Sequence, residues 1–98
     1  MTDKRKAYWL ANVTITDPDM YAGYQAVAPE AFAKHNARFL ARGSATTLEG
    51  NPWERRVIIE FASMEDAQAC YHSPEYQNAR KHRISACRAD IALIEGLE

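Results

Sequence analysis

The sequence has no excess of either charge. Twelve basic residues against 13 acidic ones leave a net charge of −1. A near-neutral chain offers nucleic acid or an anionic membrane no electrostatic footprint, so neither is an expected partner. It has no long apolar run, and no segment nears the roughly 20 residues that cross a bilayer. Lys4, Arg5 and Lys6 precede no apolar core of the roughly 7–15 residues a signal peptide needs. A cytoplasmic protein is expected. Its two cysteines, Cys70 and Cys87, form no Cys-x-x-Cys and pair with no histidine at ligand spacing. No zinc site is expected, and the thiols read as small apolar residues kept reduced. There is no Gly-x-Ser-x-Gly elbow, glycine-rich phosphate loop or Cys/His nucleophile pair. Hydrolase and nucleotide-dependent activities fall away.

What is present is an ordinary globular composition, 47% apolar and 26% charged, near the soluble average. Its 98 residues make one domain, 1–98, burying roughly 60–65% of the surface of its unfolded form. Residues 1–6 are polar and expected to fray. Residues 7–15 are aromatic and β-branched, a first strand. Asp17-Pro18-Asp19 opens a helix over about 18–36, with a cap, a first-turn proline and an acid at the positive end of the dipole. Met20, Tyr24, Val27, Ala28, Ala31 and Phe32 form its apolar stripe. Pro29 predicts a kink or two consecutive segments.

A second strand is predicted over 38–49 with a bulge at Gly43, then a turn at 49–52 and a third strand over 53–61, the two strands forming a hairpin. Ser63 caps a helix carrying Ala67, Cys70 and Tyr71. Ser73-Pro74 starts another that ends near Cys87. A last strand covers Ala89–Glu95. The order β-α-β-β-α-β is the split βαβ pattern of the ferredoxin-like α+β fold, a four-stranded antiparallel sheet with helices on one face.

Alternation divides the sheet. Trp9, Ala11, Val13 and Ile15, with Val57, Ile59 and Phe61, should face the helices. Tyr8, Leu10, Ile58 and Ile94 should face away, among Asn12, Arg56 and Glu60. That second face is too apolar to leave wet, so a second copy of the chain is the expected partner.

At this point the ordered motifs resemble a known family. They are Asp17-Pro18 with Tyr21 and Tyr24, Phe39-Leu40-Ala41-Arg42-Gly43, Leu48-Glu49-Gly50, Val57-Ile58-Ile59-Glu60-Phe61, Ser73-Pro74-Glu75-Tyr76-Gln77, Arg83 and Glu95-Gly96. From Tyr8 to Gly96 the chain is similar to the uncharacterised bacterial domain-of-unknown-function family numbered thirteen-thirty, of the dimeric α/β barrel superfamily. The resemblance implies a homodimer whose sheets pack face to face. It does not imply a reaction, because superfamily relatives include cofactor-independent monooxygenases, lactone isomerases, haem degraders and stress-responsive barrels. The family usually carries a glycine pair where this chain has Asn36-Ala37. Asn36 tolerates the left-handed conformation and can still end the helix.

Among residues that could carry chemistry, Arg42 and Glu60 fall on adjacent strands. They read either as a cross-strand ion pair, worth roughly 0.2–1 kcal/mol if exposed, or as a carboxylate held by arginine beside a pocket. Arg83 shares a stripe with Tyr76 and Ala79 and so points inward. An inward arginine needs an anion, and Glu60 or a substrate carboxylate would serve. Tyr24 and Tyr76 read as core residues with hydroxyls at a pocket edge. His35, at the end of the first long helix, is the best-placed imidazole for acid–base work. The candidate catalytic set is therefore Glu60, Arg83 and His35. The candidate substrate-binding set is Tyr24, Arg42, Glu60, Tyr76 and Arg83. No metal or cofactor is expected.

The leading function is a small organic molecule held between sheet and helices, with cofactor-independent oxidoreductase or isomerase chemistry. The alternative is a non-enzymatic homodimeric binding or stress-related scaffold protein. An RNA-binding sheet would need stacking aromatics where strand three offers Arg56, Ile58 and Glu60. A haem degrader fits poorly too, since Phe61 stands where a tryptophan would be expected, although Asn12 matches.

Overall fold

The computed structural model describes residues 5–97. The elements are β1 (Ala7–Ile15), α1 (Pro18–Lys34), β2 (Arg38–Gly43), β3 (Arg55–Phe61), α2 (Met64–His72), α3 (Pro74–Arg83) and β4 (Cys87–Glu95). The sheet runs β2-β3-β1-β4, antiparallel at each pairing, with the helices on one face. This is the ferredoxin-like arrangement, its second helical stretch split in two at Ser73. The sheet of the chain is open and does not close into a barrel.

Local chemistry sets the helix ends. Asp17 accepts from the Met20 amide at 3.2 Å, and Ser63 accepts from Asp66 at 3.1 Å. Ser73 serves both helices it separates: it accepts from the Tyr76 amide and donates to the Cys70 carbonyl at 2.7 Å. At the end of α1, Asn36 takes a φ of 57°. Its amide reaches the Ala33 carbonyl, and the Ala37 amide reaches Phe32. Those two bonds close a Schellman motif around a left-handed residue.

Several expectations are corrected. α1 runs through Pro29 without a break. Pro29 is exposed and costs the helix only the amide bond to the Gln25 carbonyl. The buried stripe of α1 uses Tyr21 rather than Met20, which is exposed. β2 ends at Gly43, whose φ of 139° suits only glycine, and 44–54 is a loop fastened by Arg56 to Thr47 and Asn51. The bulge lies between Phe39 and Ala41, at Leu40, not at Gly43. α3 stops at Arg83, and β4 starts two residues early because Cys87 and Arg88 pair with Ile15 and Thr14. Of residues 1–6, the first four lie outside the described residues. The Lys6 carbonyl accepts the Gly96 amide at 2.7 Å.

The two faces separate as the alternation requires. Ala7, Trp9, Ala11, Val13, Ile59 and Phe61 are buried against the helices. Trp9, 1% exposed, meets Phe32 and Tyr76 edge-on at 5.2 and 5.0 Å and Phe61 stacked at 6.0 Å. On the other face Leu10, Ile58 and Ile94 remain 37–54% exposed. Trp9→Ala should lower unfolding free energy by about 3–5 kcal/mol in a urea titration. Asn36→Val should cost roughly 1 kcal/mol at the left-handed position, whereas Asn36→Gly should not destabilise.

Candidate functional site

Along β1 the side chains facing the helices shrink from Trp9 to Ala11 and Val13, and α1 presents Ala28 opposite. The space left is a cleft of about 350 Å³ between the sheet and the helices, within the roughly 300–1,000 Å³ of small-molecule sites. Trp9, Phe32, Phe39, Val57, Ile59 and Ile91 give it apolar walls. Its polar groups are Tyr21, Tyr24, Gln25, Arg42, Arg55 and Arg83.

Arg83 sits where the stripe of α3 predicts, beside buried Tyr76 and Ala79, and is 8% exposed. Its guanidinium carbon lies 5.5 Å from the centre of the Tyr24 ring, within cation–π range. The Tyr24 hydroxyl meets the Tyr76 hydroxyl at 3.1 Å, and either can donate. Tyr76 is fully buried behind the cleft. Burial pushes the Tyr24 hydroxyl well above its ordinary range, and the nearby Tyr76 pushes it further. Burial also raises Tyr76, with Arg83 pulling part of the way back. At neutral pH both are hydrogen-bonding hydroxyls rather than bases.

Arg42 reaches the cleft because of the bulge. Phe39 pairs with Ile59, but Ala41 pairs with Ile58, so Arg42 stands opposite Val57 on the helix side. Paired straight on from Phe39, with Leu40 opposite Ile58, it would stand opposite Arg56 on the outer face. Its guanidinium lies 4.9 Å from the Phe39 ring centre.

Glu60 is elsewhere. It projects from the outer face, across from Tyr8 and Arg38, and pairs with Lys6 at 3.5 Å. The expected Arg42–Glu60 pairing is therefore incorrect: the bulge puts the two on opposite faces. Glu60 does not partner Arg83 or line the cleft. His35 caps its own helix, Nδ1 donating to the Ala31 carbonyl at 2.9 Å, and does not line the cleft either. The structure thus gathers Tyr24, Arg42 and Arg83 at the cleft, places Tyr76 against them, and leaves Glu60 and His35 outside. Asn12 faces outward, opposite Arg56.

The sequence reading missed Arg55. It belongs to the same alternation as Val57, Ile59 and Phe61, stands across from Val13 and lines the cleft. The parity of its number was the available signal. Among the described residues, no group of three or more His, Cys, Asp or Glu converges as metal ligands would. No helix among them is long and apolar enough to cross a membrane.

Both cysteines are held as thiols. Burial pushes Cys70 up to about 12. Burial raises Cys87 too, and Arg83 offsets part of that. Cys70, Cys87, Tyr21, Tyr24 and Tyr76 are neutral when protonated, and all have folded-state values above their unfolded ones. Their stabilisation is complete below the unfolded values and is lost as pH rises through the folded ones. The urea midpoint should therefore fall as pH climbs above the 9.0 of a free thiol. Cys70→Ala should flatten that decline between pH 9 and about 12.

A family model described as a domain of unknown function (DUF1330) matches residues 6–97. No curated protein matches. Among solved structures, a protein of unknown function from Rhodopseudomonas palustris superposes with a TM-score of 0.80 at 19% identity, over 97% of this chain and 85% of that one. SnoaB, a cofactor-independent oxygenase from Streptomyces nogalater, gives 0.69 at 9% identity, over 96% and 95%. A dimeric protein of unknown function and ferredoxin-like fold from Bacteroides fragilis gives 0.66 at 15% identity, over 93% and 96%. At these identities the likeness is one of fold.

Proposed function

We propose that this chain, which belongs to the DUF1330 family, is a homodimer that binds a small organic molecule between sheet and helices and acts on it as a cofactor-independent oxidoreductase or isomerase. The observation that carries the reading is the cleft: apolar walls, with Arg83 and the Tyr24 hydroxyl at one end. Such a site can stabilise an enolate. A C–H proton leaves to water at the mouth, the electron pair settles on oxygen, and guanidinium and hydroxyl donors hold it. Return of the proton to a different carbon is an isomerisation. Passage of one electron from the enolate to dioxygen gives a carbon radical and superoxide, whose combination forms a C–O bond and, with a proton from water, a hydroperoxide; that is an oxidation. The similarity in fold to a cofactor-independent oxygenase is an analogy that supports the second course.

The outer face supports the dimer. Leu10 pairs with Ile58 and Ala92, and Tyr8 with Ile94, so these apolar side chains adjoin. A dimeric structure of the same fold supports burying them against a second copy.

One observation favours a second reading, binding without turnover. Among the described residues, the cleft lining contains no carboxylate and no imidazole, and so no ordinary general base.

Trp9 lines the cleft, and Trp53 does not. In Trp53→Phe protein, 4-nitroanisole should quench the fluorescence of Trp9 saturably, and adding Val57→Phe should abolish the quenching while cooperative unfolding is retained. Quenching that survives Val57→Phe would place the probe elsewhere and remove the reading. Turnover is read separately. Faster exchange of the benzylic hydrogens of 4-nitrophenylacetone in deuterium oxide marks an enzyme, and binding without exchange marks the second reading. Sedimentation should give a dimer, and Ile58→Lys should shift it to monomer.

A further inference from the structure

Building on the reading of the cleft as a small-molecule site, we infer that its ligand is an organic anion, a carboxylate or equivalent oxyanion carried on a flat apolar body. Arg83 is the first ground. It is buried, its Nε makes no hydrogen bond among the described residues, and the groups that act on it are the hydroxyls of Tyr24 and Tyr76, the Cys87 thiol and the Tyr24 ring. None of these carries a full negative charge at neutral pH. A buried cation without a counter-charge is costly to keep, and a negative group brought to it recovers part of that cost.

The second ground is convergence. Arg42 and Arg55 line the same cleft as Arg83, and among the described residues no Asp or Glu joins them. The ion pairs between described residues are Lys6–Glu60 and Lys34–Glu75, both outside the cleft. In a chain of net charge −1, three guanidiniums therefore share one concavity with no acid among the described residues. Their mutual repulsion falls when an anion enters. Arg55 repeats the detail seen at Arg83: its Nε is buried and unbonded. A guanidinium presents a planar fork of donors that matches two oxygens on one carbon. The rest of the cleft, with Trp9 and Phe39 among its walls, suits an unsaturated ring rather than a bare inorganic ion.

The test uses three nitrobenzene derivatives of one shape, read by quenching of Trp9 in Trp53→Phe protein: 4-nitrobenzoate, 4-nitrobenzamide and 4-nitrobenzylammonium. The benzoate should bind at least tenfold tighter than the amide, and the ammonium should bind weakest. Arg83→Gln should erase most of the preference, weakening the benzoate far more than the amide. If Arg83→Gln does not fold, Arg55→Gln and Arg42→Gln, which alter less buried side chains, should each reduce the preference severalfold. Equal affinity for benzoate and amide overturns the anion assignment and leaves the small-molecule cleft standing. Absence of quenching by all three compounds, and by 4-nitroanisole, removes both.

Discussion

The packing of Trp9 is the contact on which the other elements converge. It lies on β1, one of the two central strands of the sheet. Its ring touches α1 through Phe32, α2 through Tyr71, α3 through Tyr76 and β3 through Phe61. Aromatic rings bring large buried area and a preferred edge-to-face geometry, so one residue fixes both the height and the tilt of the helical layer above the sheet. A core this small has few other ways to set those distances.

The cleft is a result of the same packing. Where Trp9 and its partners fill the interface, sheet and helices are held at aromatic spacing. Further along β1 the side chains are Ala11 and Val13, while the spacing persists. Residues that would be core in a tighter domain become walls. Arg83 marks the boundary between the two regimes: its helix neighbours Tyr76 and Ala79 are fully buried, and its own guanidinium reaches the open space. Tyr24 and Tyr76 link the two ends through their hydroxyls.

Features with a short repeat were legible in the sequence. The two-residue alternation of β1 and β3 placed Trp9, Val13, Ile59 and Phe61 correctly, and the stripe Tyr76-Ala79-Arg83 pointed inward as read. Caps at Asp17, Ser63 and Ser73 depend on neighbours within four residues and were equally plain. The errors lie where register depends on a distant strand. Nothing local distinguishes a bulge at Leu40 from one at Gly43, and that choice decides which face Arg42 takes. Glu60 was misassigned for a different reason: its own alternation with Ile59 and Phe61 already put it outside, and only its supposed pairing with Arg42 drew it to the pocket. Arg55 was overlooked because a charged residue near the start of a strand reads as solvent-facing, although its alternation with Val57, Ile59 and Phe61 put it on the helix side, across from Val13.

The bulge at Leu40 also makes β2 sensitive to its pairing phase in a way its composition does not reveal. Each residue after it is one step out of phase with a straight ladder. If the strand kept all its residues and paired straight on from Phe39, inside and outside would exchange and Arg42 would pass from the cleft to the outer face. The same positive charge would then stand beside Arg56, on the surface that a second copy is proposed to cover. Deleting Leu40 would instead give a straight ladder in which Arg42 still meets Val57. In this edge strand a phase of one residue connects the polarity of the cleft with the polarity of the association surface.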